Sequence, residues 1–171
     1  MLSKASIWSN NVVNPPKLFE LVSSHLYRSN MITGNNIDFI ESLHLKTIVY
    51  IGNSPVEDAV LGFIRARGIR FYAINDSQRP SAEDWKPIQD DTVKRVLEVL
   101  LDDANKPCLV MCDDGFSKTG VIVGCYRRMQ HWCVTSSIQE YRRFDHDSPT
   151  SFSAELYIEF FSPELLSLRV C

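Results

Sequence analysis

VMCDDGFSKTG, Val110 to Gly120, is the stretch that decides the fold of this chain. The apolar run Pro107–Met111 predicts a buried strand that leads into Cys112. Five loop residues and a lysine follow, and Thr-Gly then opens an apolar helix. A short loop between a strand and a helix points backbone N–H groups inward, and the helix N-terminus adds partial positive charge. The stretch therefore predicts an anion site that contains a thiol.

The loop residues carry the chemistry of a cysteine-dependent phosphate site. Cys112 is the candidate nucleophile, whose thiolate would attack phosphorus and form a thiophosphate; the alternative is a small buried hydrophobe. Lys118 either folds over the loop to hold phosphate oxygens or pairs with Asp113 or Asp114. Thr119 offers a hydroxyl to the thiolate or to the departing group. The candidate phosphate-binding residues are Asp113, Asp114, Gly115, Phe116, Ser117 and Lys118.

Outward from the loop, strands alternate with helices along the chain. β-Branched runs predict strands at Lys46–Ile51 and 69–74 in addition to the strand before Cys112. Apolar spacing predicts four helices, at 90–103, 119–132, Ser136–Phe144 and Ser153–Phe161. This alternation predicts an α/β fold with a mostly parallel central sheet flanked by helices. Ligands bind at the carboxyl ends of such strands, and Cys112 follows one of these ends.

A further helix is predicted by capping signals. Ser54 is expected at the N-cap and Pro55 at the first helical position, with Glu57 completing a capping box. Gly68 suits the position after the helix end, where a left-handed backbone is common.

Asp76, just after the second predicted strand, is the best-placed candidate general acid; the alternative is an ordinary turn residue. Asp84 and Asp90 are weaker candidates, and Asp90 is also expected to be a helix N-cap. His131 and His146 have no partner at metal-ligand spacing, so we expect no metal and no cofactor. The arginines after the loop are interpreted as a basic rim or as solvated helix faces, and the tryptophans as core or loop anchors: Arg127, Arg128, Arg142, Arg143, Trp85 and Trp132.

Length and charge limit the possible functions. The 171 residues fit one domain, expected at residues 15–171 after an N-terminal arm at residues 1–14. The net charge of −3, without a basic block, argues against nucleic-acid binding. No apolar run approaches the roughly 20 residues of a membrane span, and the start has no apolar core of a secretory signal.

The five cysteines match neither a disulfide framework nor a metal site. All except Cys112 lie in apolar or mixed segments that indicate the core: Cys108, Cys125, Cys133 and Cys171. Free thiols indicate a reducing compartment, and we expect a cytoplasmic or nuclear protein.

The loop CDDGFSKTG resembles the C-x5-R-[ST]-G loop of the protein-tyrosine phosphatase superfamily. The stretches NPPKLFELVSSHLYRSN, FIESLHLKTIVYIGN and GCYRRMQHWCVTSSIQEYRRF are similar to the plant and fungal atypical dual-specificity phosphatases. That family includes inositol-pyrophosphate phosphatases and oxidant-induced cell-cycle-arrest phosphatase-like proteins. The resemblance implies the phosphatase fold, a phosphorylated small molecule or phosphoprotein as substrate, and paralogous phosphatase-like subunits as possible partners.

The chain departs from the family pattern at the loop itself. Met111 stands where the family has histidine, and Lys118 where active members have arginine. Lysine lacks the planar fork that arginine presents to two phosphate oxygens. Loss of one such contact typically costs about 10²–10³-fold in rate. Asp113 and Asp114 add repulsion of about 2–3 kcal/mol each at 6 Å and an effective dielectric near 20, before solvent screening.

Two functions therefore compete. One is a phosphatase-fold protein with severely reduced activity that acts through binding or as a subunit. The other is a fully active phosphatase on inositol pyrophosphates or phosphotyrosine proteins. The retained Cys112, Gly115 and Thr119 favour activity, whereas Lys118 and the two aspartates favour its loss.

Overall fold

The computed structural model describes residues 13–76, 85–144 and 151–164. One five-stranded sheet forms its centre, and its strands are β1 (Glu20–Ser23), β2 (Leu26–Asn30), β3 (Thr47–Ile51), β4 (Arg70–Ile74) and β5 (Cys108–Cys112). The spatial order is β1-β2-β5-β3-β4. Every neighbouring pair is parallel except β1 and β2, which are antiparallel. The predicted fold class, a mostly parallel sheet flanked by helices, is confirmed.

Helices cover both faces of the sheet. They are α1 (Ile37–Ser42), α2 (Asp58–Ala66), α3 (Asp90–Leu101), α4 (Ser117–Met129), α5 (Val134–Arg142) and α6 (Ser151–Phe160). Side chains alternate along β3 and β5, because successive residues of a strand point to opposite faces. Ile48 and Leu109 pack with the α1 and α2 side, whereas Val49 and Val110 pack with α3, α4 and α6. The central strands are therefore buried on both faces.

The start of α2 differs from its sequence prediction. The helix begins at Asp58 after its N-cap Glu57, and the Glu57 side chain does not cap it. The Glu57 carboxylate instead accepts the backbone N–H of Gly34, and the Ser54 N–H donates to the Tyr50 hydroxyl. The capping box predicted at Ser54 is therefore wrong, because both of its members are bound elsewhere. Gly68, with φ +64°, does follow the helix end as predicted.

The start of α3 also differs. Gln89 is the N-cap and Asp90 the first helical residue, so the expected capping role of Asp90 is wrong. The Asp90 carboxylate accepts hydrogen bonds from Lys86 and from the Tyr157 hydroxyl. The predicted helices near the C-terminus are present as α5 and α6, each beginning two residues earlier than expected.

Two expectations about cysteines are corrected by burial. Cys133 is exposed at the N-cap of α5, not in the core. Cys112, expected in a polar loop, is the last residue of β5 and is 1% exposed. Cys108 and Cys125 are buried as predicted, and Cys171 lies outside the described residues.

Part of the predicted N-terminal arm, residues 1–12, also lies outside the described residues, as do Asp84 and His146. Within the described residues, no helix is long and apolar enough to cross a membrane.

Candidate active site

The loop between β5 and α4 consists of residues 113–116. Its shape depends on Gly115, which has φ +81°. A Cβ on this residue would lie 2.6 Å from the backbone of Asn30. Glycine is required here for both reasons, since side chains strain a left-handed backbone and no space is left for one.

The underside of the loop is fixed by Arg28. Its Nη2 donates to the Gly115 carbonyl at 2.9 Å. Because that carbonyl faces the interior, the N–H groups of the following residues, Phe116 and Ser117, remain available on the other side of the loop. The backbone thus has the form of an anion nest at the start of α4.

The nest is occupied by a side chain of the loop itself. Oδ1 of Asp114 accepts the backbone N–H groups of Phe116 and Ser117, each at 3.0 Å. The Cys112 thiol donates to the same oxygen, with 3.1 Å between Sγ and Oδ1. The carboxylate therefore satisfies amides at the helix N-terminus, which otherwise lack an acceptor.

Hydrogen bonding keeps Asp114 ionised. Burial alone would raise the pKa of its carboxyl, but the bonds from Ser117, Cys112 and Phe116 outweigh it and hold the pKa below its ordinary value. An anion fixed beside the thiol is the opposite of the environment that activates a cysteine.

Asp113 is turned towards a different loop. The hydroxyl of Tyr50 donates to its Oδ1 and accepts the N–H of Ser54. Gly52 lies under this contact, since a Cβ there would be 2.5 Å from the Tyr50 hydroxyl oxygen. Burial, followed by the bond to Asp113, raises the pKa of Tyr50 to about 12. Asp113 thus ties the phosphate loop to the segment after β3.

Lys118 forms an ion pair with Asp76, at 3.2 Å between Nζ and Oδ2. The sequence left open whether Lys118 contacts phosphate or pairs with Asp113 or Asp114. The pairing is with neither of these. The Asp76 side chain, 5% exposed, also accepts the Thr92 hydroxyl at 3.1 Å. The predicted candidate acid and the predicted phosphate-binding cation are therefore in contact with each other.

Cys112 lies among groups that favour its neutral thiol. Burial is the largest influence, and the charge of Asp114 adds to it, so the pKa of Cys112 is raised to about 11. Contacts with Thr119 act in the opposite direction, including its backbone N–H, which donates to Sγ at 3.4 Å. The Thr119 hydroxyl is buried beside the same sulfur.

The structure places one residue at the site that sequence reasoning missed. Arg28, on β2, is 1% exposed and lies beside the face of the Phe144 ring, 3.6 Å from its centroid. The signal was present in the sequence, because an arginine in the middle of the short stretch LYRSN breaks an otherwise strand-like pattern. A charged residue at a buried strand position needs a reason to be there.

The four arginines after the loop make contacts of their own. Three of them pair with glutamates: Arg127 with Glu140, Arg142 with Glu155 and Arg143 with Glu20. Arg128 donates to the carbonyl of Trp132. Trp85 and Trp132 lie in loops and are about half exposed. Across residues 13–76, 85–144 and 151–164, no cluster of three or more potential ligands could hold a metal.

Taken together, the site has the backbone of a phosphate loop and a thiol at its base. Asp114 contacts the thiol, Asp113 binds Tyr50, and Lys118 pairs with Asp76. The backbone is therefore shaped to receive an anion, and the acceptor that it holds in this structure is the Asp114 carboxylate.

Known proteins share this architecture. Residues 13–169 match the family model described as the tyrosine phosphatase family. The chain is 39% identical to an inositol diphosphatase DSP1 of Oryza sativa subsp. japonica, over 76% of this chain and 58% of that protein. It is 32% identical to a putative tyrosine-protein phosphatase OCA1 of Mycosarcoma maydis, over 89% of this chain and 95% of that protein.

Among solved structures, the core catalytic domain of the PP-IP phosphatase SIW14 from S. cerevisiae, in complex with citrate, has a TM-score of 0.79. That domain is 29% identical to this chain, and the match covers 91% of each.

Proposed function

The chain belongs to the tyrosine phosphatase family, with the plant and fungal atypical dual-specificity phosphatases as its relatives, and from that premise we propose that its own phosphatase activity is severely reduced. On this proposal the protein acts by binding a phosphorylated small molecule or phosphoprotein, or as a subunit beside active paralogues. The ancestral reaction would be hydrolysis of a phosphate ester or inositol pyrophosphate through a Cys112 thiophosphate.

The observation that carries this proposal is the position of the Asp114 carboxylate. Its Oδ1 accepts hydrogen bonds from the two loop amides and from the thiol, which are the groups that a phosphoryl group would need. A phosphoryl group must therefore displace a carboxylate held by three hydrogen bonds, or bind with fewer of its own. The repulsion between the two anions adds to this cost, although Asp114 is exposed and water screens part of its charge.

The state of the thiol supports the same proposal. With a pKa of about 11, roughly one Cys112 in ten thousand is a thiolate at pH 7. Reactive cysteines have pKa values of about 3.5–7.5. The nucleophile would therefore be almost entirely neutral before a substrate binds.

Lys118 and Asp76 support it as well. The ammonium group already has a carboxylate partner at 3.2 Å, so its charge is shared before any phosphate arrives. A general acid must reach the departing group, whereas the Asp76 carboxyl contacts Lys118 and Thr92. The predicted roles of these residues in catalysis would require their separation.

The second candidate is a fully active phosphatase, which the relatives favour. One is an inositol diphosphatase and another a PP-IP phosphatase. The retained Cys112, Gly115 and Thr119 would then serve as nucleophile, turn and thiolate contact. In that case, substrate binding would have to expel the Asp114 carboxylate from the nest.

Phosphate release from an inositol pyrophosphate and from a phosphotyrosine peptide separates the candidates, with Cys112→Ser as the blank. We expect a rate about 10²–10³-fold below that of an active relative assayed in parallel. The triple variant Lys118→Arg, Asp113→Asn, Asp114→Asn should recover at least about tenfold of this loss, since it restores the guanidinium and removes two charges. Turnover by the unmodified protein equal to that of the active relative would overturn the proposal.

The subunit role needs its own measurement. The tagged chain, purified from its native cell at its natural abundance, should bring a paralogous phosphatase-like protein with it in constant ratio. Recovery of the chain alone, at the mass of a monomer, would contradict the subunit role and leave binding of a phosphorylated ligand as the proposed function.

A further inference from the structure

We propose that Arg28 is a positioning residue of this site: a buried cation that orients the phosphate loop through the Gly115 carbonyl and balances the negative charge that develops at Cys112. Nothing in the sequence pattern of the loop points to this residue, because it lies 84 positions before the cysteine, on the neighbouring strand. The proposal concerns the electrostatics under the loop and holds whether turnover is fast or slow.

The first argument is the incomplete pairing of Arg28. Its Nη2 donates to the Gly115 carbonyl, but Nε and Nη1 have no hydrogen-bond partner among the described residues. No carboxylate of those residues lies within ion-pair distance of it. Burial of a cation without a counter-ion costs free energy of folding, and an apolar side chain at this position would avoid that cost.

The chain supplies a comparison in Arg127, which is also buried. Its guanidinium forms an ion pair with Glu140 at 2.6 Å and donates to the Val22 carbonyl. Its ring contact is with Trp132. Arg127 thus has a full set of partners for a structural role, whereas Arg28 lacks the anion that would complete its set.

The second argument is the position of Arg28 relative to the thiol. In the parallel pairing of β2 with β5, Arg28 lies beside Val110 and Asn30 beside Cys112. Arg28 and Cys112 interact electrostatically, and the negative form of Cys112 stabilises the charged arginine. We expect the arginine to stabilise the thiolate in return.

Arg28 also remains a cation despite its burial. Burial lowers its pKa to about 10, which leaves the guanidinium charged at neutral pH. The Phe144 ring faces the guanidinium and stabilises the cation through a cation–π contact, which leaves the charge in place. The carboxylates of Glu140 and Glu20 also stabilise its charge, and Arg143 opposes it, but these carboxylates form their ion pairs with Arg127 and Arg143. The anion that we assign to Arg28 is therefore in the loop, either the Cys112 thiolate or a bound phosphoryl group.

The experiment measures alkylation of Cys112 by iodoacetamide between pH 7 and 10, with the Cys112 peptide quantified by mass spectrometry because Cys133 is exposed. Arg28→Gln keeps a donor for the Gly115 carbonyl and removes the charge, whereas Arg28→Lys keeps the charge. We expect alkylation at pH 8 to fall about three- to tenfold in Arg28→Gln and to stay within about twofold in Arg28→Lys. The matched variants Arg127→Gln and Arg127→Lys should leave the rate unchanged.

Equal rates in Arg28→Gln and the unmodified protein would overturn the proposal, as would equal losses in the glutamine variants at 28 and 127. If Arg28→Gln does not fold, arginine-labelled NMR of the unmodified protein decides. The Arg28 Nε signal follows the titration of its own guanidinium, and its midpoint should lie at lower pH in Cys112→Ser, because the thiolate that stabilises the charged arginine is absent. The same midpoint in both proteins would contradict the proposal. Neither measurement uses turnover, so a fast phosphatase would contradict the proposed function and leave this inference intact.

Discussion

Beneath the loop, Arg28 and Asn30 on β2 and the turn at Gly115 form a rigid frame with no carboxylate in it. At the mouth of the same loop, Asp114 accepts hydrogen bonds from the loop amides, Asp113 binds the Tyr50 hydroxyl, and Asp76 pairs with Lys118. The frame is made of buried strands and a turn, whereas the mouth is made of charged side chains that range from buried, at Asp76, to exposed, at Asp113 and Asp114. On the proposed function, the shape of the phosphate loop and its affinity for phosphate would be set by separate parts of the chain.

The frame should be the part most sensitive to mutation. Gly115→Ala forces a side chain onto a residue with φ +81° and into the Asn30 backbone at 2.6 Å. We expect it to lower the free energy of unfolding by about 2–4 kcal/mol, measured by urea denaturation. Gly62→Ala is the matched control, because Gly62 lies inside α2 with nothing within 4 Å of the added Cβ.

In the control, alanine should stabilise the protein by up to about 1 kcal/mol, since it is the better helix former. Equal and small effects at both glycines would show that the turn is not a fixed part of the frame.

The charged side chains at the mouth should control the pKa of the Cys112 thiol. Asp114→Asn keeps an oxygen for the Phe116 and Ser117 N–H groups but removes the charge 3.1 Å from Sγ. The pKa of Cys112 should fall by about one unit, so its alkylation at pH 8 should rise about tenfold. Asp113→Asn is the control, because Asp113 faces Tyr50, and its effect on alkylation should be less than about twofold. Equal effects of the two substitutions would mean that general surface charge, not the contact with Asp114, controls the thiol.

The neutral thiol also predicts how stability depends on pH. The folded protein holds the pKa of Cys112 at about 11 and that of Cys108 at about 12, through burial. Because these pKa values are raised above that of an unfolded thiol, near 9, the unfolded chain binds fewer protons above pH 9. The stability they contribute is fully present below about pH 9 and is lost as the pH rises towards 11–12.

Cys112→Ser isolates the part of this pH dependence that comes from the loop thiol. The unmodified protein should lose about 1 kcal/mol more than this variant between pH 8 and pH 10, measured from urea midpoints at each pH. The same loss in both proteins would show that the loop thiol ionises as easily in the folded chain as in the unfolded one.

The frame could be predicted from the sequence to a greater extent than the mouth. Apolar runs at 46–51, 69–74 and 108–111 predicted three of the five strands, since buried parallel strands leave a continuous local signal. The pair β1 and β2 was missed, because β1 has only four residues and Arg28 stands in the middle of β2. The loop that contains Gly115 followed from a local motif.

The mouth could not be predicted in the same way, because its partners are far apart in the chain. The sequence identified both Asp76 and Lys118 as candidates but not their ion pair, which joins residues 42 positions apart. It identified Asp113 and Asp114 as a charge problem without indicating that one is held by Tyr50 and the other by the loop amides. Local signals place a loop, whereas the side chain that fills it depends on strand order and on which hydroxyls and amides are near.

The smallest expected effect tests whether the mouth limits binding of an anion. Asp76→Asn keeps an oxygen for the Thr92 hydroxyl and removes the charge that holds Lys118. With its ammonium group released, Lys118 should lie over the loop, and the affinity for inorganic phosphate at pH 7 should rise about threefold by calorimetry, the scale of one partly exposed ion pair.

Asp103→Asn removes a carboxylate from a surface pair with Lys106, away from the loop, and should leave the affinity unchanged. A gain in both variants would reflect the reduced net negative charge of the protein. A gain in Asp76→Asn alone would show that the lysine is withheld from phosphate by its own neighbour, while an unchanged affinity would leave Asp114 as the group that closes the site.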